Sequence, residues 1–198
     1  HYMGDILPGR LGAAIAALGM LAALPAAAQE RPAVRPSHDA TVIYHVQVAG
    51  PDGVSRSRTL HMYWTGQGTR LRMEVEGQPG FELIDFAADR MTMVMADKGS
   101  YLEVPFSPGN APGLTIPPGV SLSRQGTDTV AGTQCTIWGM QGAQGGGTAC
   151  ITSDGLVLRV RGQKRDDPAA MEAISVVYAP QAAGLFAVPP GLKPLIPR

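Results

Sequence analysis

The sequence predicts an all-β, mainly antiparallel fold: a single curved sheet or unclosed β-barrel of roughly ten strands, with a long Pro/Gly loop and little helix. Three observations carry this. Hydrophobicity alternates with period two from Asp39 onward, turn signals recur at short intervals, and no long amphipathic helix pattern follows Asp39. About 170 residues without internal repeats fit one domain, placed at 39–198.

Ahead of that domain the chain opens HYMGDILPGRLGAAIAALGMLAALPAAAQE. Arg10 supplies a positive start, Leu11 to Leu24 is uncharged and apolar, and Ala26-Ala27-Ala28 is an A-x-A cleavage signal, so residues 1–28 are expected to be a signal peptide. His1 and Tyr2 are read as a cloning remnant. The apolar run is shorter than the roughly 20 residues of a spanning helix, so no stable membrane anchor is expected after cleavage. Gln29 to His38, rich in Pro and Arg, reads as a flexible leader. The expected location is periplasmic or secreted.

The strands follow in order. ATVIYHVQV places Val42, Tyr44, Val46 and Val48 on one face, RTLHMYW does so with Leu60, Met62 and Trp64, and RLRMEVE sets Leu71, Met73 and Val75 against charged residues on the other side. Turns at GPDG, TGQG, EGQPG and ADKGS separate these from FELIDF, MTMVM and SYLEV. SLSRQ is a weak candidate, and QCTIWGM, TACIT, LVLRVRG and AISVVYA complete the set, with SDG as a hairpin turn. FSPGNAPGLTIPPG, Phe106 to Gly119, is too rich in Pro and Gly for helix or strand and is expected to be a lid loop carrying Leu114 and Ile116. DDPAAMEA has room for a turn or two of helix from Pro168.

Cys135 and Cys150 form an even pair in an exported chain, which predicts a disulfide stapling a hairpin whose tip lies near Gly142 and Ala143. Lys plus Arg and Asp plus Glu are 16 each, which removes the electrostatic footprint of a nucleic-acid binder.

The chemistry-bearing residues are few. MTMVM places Met91, Met93 and Met95 on one strand face, where thioethers serve as core filler, as lining of an apolar pocket, or as soft ligands for Cu(I) together with Met62, Met73, His45 and His61. By parity the two histidines face away from Met62 and Tyr44, and they lack a Cys or acidic partner at zinc spacing; no metal site is assigned. G-x-S-x-G, S-x-x-K and a free thiol are missing, and QGAQGGG lacks the Lys and Ser/Thr of a phosphate loop. Asp85 in LIDF is expected to face solvent or cap a turn. No catalytic residue and no cofactor is expected.

The stretches YWTGQGTRLRMEVEG, LIDFAADRMTMVMADKGSYLEVPF, TVAGTQCTIW, TACITSDGLVLRV and LFAVPPGLKPL resemble, in order, an exported bacterial domain family of unknown function. That family is related to the periplasmic lipoprotein-carrier superfamily of LolA/LolB/RseB-like half-barrels. The resemblance covers about Asp39 to Leu192. It implies a curved antiparallel sheet whose concave apolar face is covered and can receive acyl chains. The carriers' lid helices have no counterpart here, leaving the Phe106 to Gly119 loop as cover, and no cavity-mouth basic residue is carried over by motif.

Together these point to a non-enzymatic periplasmic binding protein for a lipid, an acylated partner or another apolar envelope ligand. The apolar face expected to bind it comprises Leu60, Met62, Trp64, Leu71, Met73, Met91, Met93 and Met95. An envelope protein-interaction or stress-sensing module is the alternative, and a Met-rich Cu(I)-binding protein a further one.

Overall fold

A computed structural model describes residues 30–107, 114–143, 145–164 and 166–196. The expected signal peptide and most of the tip of the Phe106 to Gly119 loop lie outside the described residues. The strands are β1 (Ala40–Ala49), β2 (Ser55–Thr65), β3 (Arg70–Val75), β4 (Phe81–Asp85), β5 (Arg90–Met95), β6 (Ser100–Pro105), β7 (Ser121–Val130), β8 (Thr133–Gly142), β9 (Gly145–Ile151), β10 (Val157–Gly162), β11 (Met171–Tyr178) and β12 (Lys193–Leu195). All join one sheet in the order β12-β6-β5-β4-β3-β2-β1-β11-β10-β9-β8-β7, which is not closed.

Roughly ten strands thus become twelve. The strand with no sequence forecast is β12, a three-residue strand that pairs parallel with β6 while every other neighbour pairs antiparallel. The turn of helix allowed at Pro168 does not form; β11 begins at Met171, and helix is confined, among the described residues, to short 3-10 turns at Ala96–Lys98 and Ala183–Phe186.

Register converts alternation into rows that run across the strands. One row is Ala40, Trp64, Leu71, Ile84, Met91 and Val104; the next, two residues along each strand, is Val42, Met62, Met73, Glu82, Met93 and Leu102. The first row is the floor of the principal core, where Leu71 is 0% exposed and Trp64 stacks on Phe86 at 5.9 Å. Phe106 meets Phe86 edge-on at 5.2 Å, and the buried Leu114 closes the cluster. Burial of this kind contributes about 1.5–3 kcal/mol for each large apolar side chain.

The opposite face of β3 to β5 is covered by the C-terminal segment. Arg72 donates from Nη1 to the Leu185 carbonyl at 3.0 Å, with its guanidinium 3.6 Å from the Phe81 ring centroid. The Gln181 side chain donates to Thr41 Oγ1 at 2.9 Å before the chain reaches β12. This covering explains why Leu83, Thr92 and Val94 are buried although they point away from the core floor.

Part of the expected leader is described from Glu30 onward. Residues 30–38 form a strap across the molecule, anchored by Arg31 to the Ile116, Pro117 and Val120 carbonyls, by Arg35 Nη1 to the Gly68 carbonyl, and by the Ser37 amide to the Asp154 carbonyl. Pro36 is fully buried. The strap crosses two turns at glycines with positive φ: a Cβ on Gly68 would stand 2.7 Å from the Pro36 carbonyl oxygen, and one on Gly155 would collide with that of Arg35. Proline and arginine, which read as leader composition, here supply an extended backbone and a fork of donors.

The two parts of the sheet are tied at its middle. The Tyr44 hydroxyl, on β1, donates to the Val157 carbonyl on β10 at 2.6 Å inside the core. Cys135 on β8 and Cys150 on β9 are disulfide-bonded, as the sequence predicts, and both are buried.

Candidate functional site

Strands β7 to β10 carry a second, smaller core of Leu122, Trp138, Ala149, Ile151 and Val157. Alternation brings these side chains together: Trp138 pairs with Ala149, and Ile151 with Val157, on neighbouring strands. Among the described residues that line the space above this floor, Trp138 is the only aromatic. A groove of about 820 Å³ remains above it, walled by Pro32 and Val34 of the strap and by residues 115–120 of the loop. Gly145, Gly146 and Gly147 line one end.

The loop wall is held by the strap. Arg31 donates to three loop carbonyls, at 3.1 to 3.3 Å. Glu30 binds Arg124, whose guanidinium lies 4.7 Å from the Trp138 ring centroid. Arg124 holds the Glu30 carboxyl below its usual range. Among the described residues lining the groove, Arg161 alone is charged. An apolar floor with few polar groups, in a volume within the usual range for small-molecule sites, suits a ligand with an apolar body. Among its described lining residues there is no nucleophile paired with a base.

The sequence-predicted face lies in the other half of the sheet. Leu71, Trp64, Met62 and Met91 are buried in the principal core, Leu60 and Met73 pack against it, and Met93 and Met95 are half-buried on the same face. Register does bring all eight to one face, and none of them lines the groove. Of the lid pair, Ile116 lines the groove, whereas Leu114 belongs to the principal core.

Sequence reasoning missed the groove floor. Its available signal was the alternation of Trp138 and Met140 in β8, followed directly by the glycine-rich hairpin. It also missed Glu82, which register seats between Met73 and Met93. Burial raises the Glu82 pKa, and no charge or hydrogen bond opposes that shift. His45 and His61 face away from this row, which removes imidazole from any ligand set built on the methionines. Among the described residues no group of three or more His, Cys, Asp or Glu could hold a metal ion. Asp85 caps a turn, its Oδ1 accepting the Ala88 amide at 3.1 Å.

Solved structures share this open antiparallel sheet. One is an uncharacterised conserved protein from Thermus thermophilus, at TM-score 0.55 and 10% identity over 80% of this chain and 90% of that one. MucB matches at TM-score 0.53 and 12% identity over 81% of this chain, and the Pseudomonas aeruginosa MucA/MucB complex at TM-score 0.52 and 11% identity over 80%. This chain spans 60% of the first MucB structure and 58% of the second. At these identities the likeness is one of fold. No protein-family model and no curated protein matches the sequence.

Proposed function

We infer that the protein is a non-enzymatic binding protein of the cell envelope, periplasmic or secreted, that takes an acyl chain or another apolar ligand into the groove above Trp138. The observation that carries this is the groove itself: an apolar floor left open in one half of a sheet whose other half is filled. Each methylene of a chain seated there gains about 0.8 kcal/mol from leaving water, so a lipid tail is the ligand class that best uses such a surface. The fold, shared with MucB, supports a binding role, and the disulfide fits an oxidising compartment.

Displacement of a fluorescent fatty acid tests it. Met140 is half-buried on the floor, and Met140→Glu places a charge under the ligand without opening a cavity. The wild type should take up the probe and the variant should lose it while keeping its circular dichroism; equal uptake by both would sink the assignment.

A second reading, an envelope protein-interaction module, is favoured by β7. This ten-residue edge strand has mostly exposed side chains, and MucB has been solved with MucA. A protein that carries no extractable lipid in native mass spectrometry and ignores added fatty acid supports this alternative.

A further inference from the structure

We propose that Met73, Glu82 and Met93, with Met62 behind them, form a binding site for Cu(I) on the core-facing side of β2 to β5. The inference rests on register. Met62 pairs with Met73, Met73 with Glu82, and Glu82 with Met93, so four adjacent strands each contribute one side chain to a single row. Strands lie about 4.8 Å apart, which puts the Met73 and Met93 backbones about 10 Å apart with the carboxylate between them. Methionine side chains are long and flexible enough to reach across such a span.

Exposure divides the row into a base and a mouth. Met62 is buried, while Met73, Glu82 and Met93 are each partly open to solvent, as is Met95 two residues along β5. A cation reaching this face would meet thioethers on both sides of a carboxylate.

Glu82 is the residue that a plain apolar face does not explain. Three acids of the sheet have partners: Glu74 binds Arg72, Asp128 binds Arg159, and Asp85 caps its turn. Glu82 has neither an ion pair nor a hydrogen bond among the described residues, and it is flanked across the strands by two methionines. A cation seated in the row would give this carboxylate a partner.

The donor set selects the ion. Thioethers are soft, neutral ligands that favour Cu(I) over Zn(II) or Cu(II), which take imidazole and harder donors. With His45 and His61 on the other face, the Glu82 carboxylate is the one harder donor in the row, set against three thioethers. The site is independent of the groove, so the two assignments can fail separately.

The test is a titration of the disulfide-intact chain with Cu(I), kept reduced by ascorbate, against a chromophoric Cu(I) chelator, with sulfur ligation read by X-ray absorption. The wild type should bind one equivalent. Met73→Leu and Met93→Leu, which conserve volume, should each weaken binding at least tenfold, as should Glu82→Gln, with unchanged circular dichroism. Met140→Leu in the groove should leave Cu(I) affinity unaltered, and Met93→Leu should leave fatty-acid uptake unaltered. A wild type that cannot compete with the chelator, or a Met73→Leu/Met93→Leu double variant that binds as tightly as the wild type, overturns the site.

Discussion

The two halves of the sheet share one pleat and one connected ladder, yet one is plugged and the other is not. In the β1 to β6 half, Phe86 and Phe106 fold over Trp64, and Leu114 seals the edge. In the β7 to β10 half, Arg124 lies over the Trp138 ring, and the floor is walled by the strap and by residues 115–120 but left open as a groove. Strand pairing is therefore common to both halves, and what crosses the face decides whether a cavity exists. Core and site are the same surface with different covers.

Substitutions sharpen this contrast. The largest effect is expected for Leu71→Ala in the plugged half: it empties a fully buried position and should cost about 2–5 kcal/mol, read by urea denaturation, whereas Met140→Ala on the open floor should cost clearly less. Replacing Cys135 and Cys150 together by Ser should remove about 3 kcal/mol for a bridge spanning 15 residues. Because the bridge joins β8 to β9, the strands that carry much of the groove floor, the double variant should also lower affinity for an apolar probe.

Tyr44→Phe tests the tie between the halves. It leaves the Val157 carbonyl without its donor in the core and should cost about 1–2 kcal/mol. It also carries a pH signature. Burial pushes the Tyr44 phenol above its ordinary value of 10.0, and Tyr178 is pushed up to about 12 by burial and by Asp154 beside it. Below pH 10 both forms are protonated and the contribution is whole. Above it the unfolded chain releases its protons first, so stability falls as pH rises from 10 towards the folded values. Urea midpoints at about pH 8, 10 and 11 should fall more steeply for the wild type than for Tyr44→Phe. The smallest effect on stability is expected for Arg31→Ala, below about 1 kcal/mol because the guanidinium is exposed; its mark should be faster exchange of a groove-bound probe, measured by stopped flow.

Most of the sheet was legible because alternation is a local property. Val42, Tyr44, Leu71 and Met73 announce their faces within a few residues, and the Cys135–Cys150 hairpin follows from two cysteines and a glycine run. The strap was illegible because Pro36 is buried by partners far along the chain, while its composition signals a loose end. Strand β12 was illegible for a related reason: Lys-Pro-Leu has no strand signal of its own and is ordered by β6. The site was half legible. Parity showed a methionine face, but FELIDF is apolar at several adjacent positions, and only register reveals that Glu82 rather than Phe81 stands between Met73 and Met93. The groove depends on an absence of cover, which no single segment encodes.

The position of β1 has a consequence in time. It sits in the middle of the sheet, paired on one side with its sequence neighbour β2 and on the other with β11, where Ala40 meets Tyr178. Non-local pairings of this kind place folding in the millisecond-to-second class. Until β11 arrives, a partly folded chain holds one bare edge along β1, where another copy can pair. Refolding from urea should therefore lose yield steeply as protein concentration rises, and the intermediate that persists should be the one in which this seam is still open.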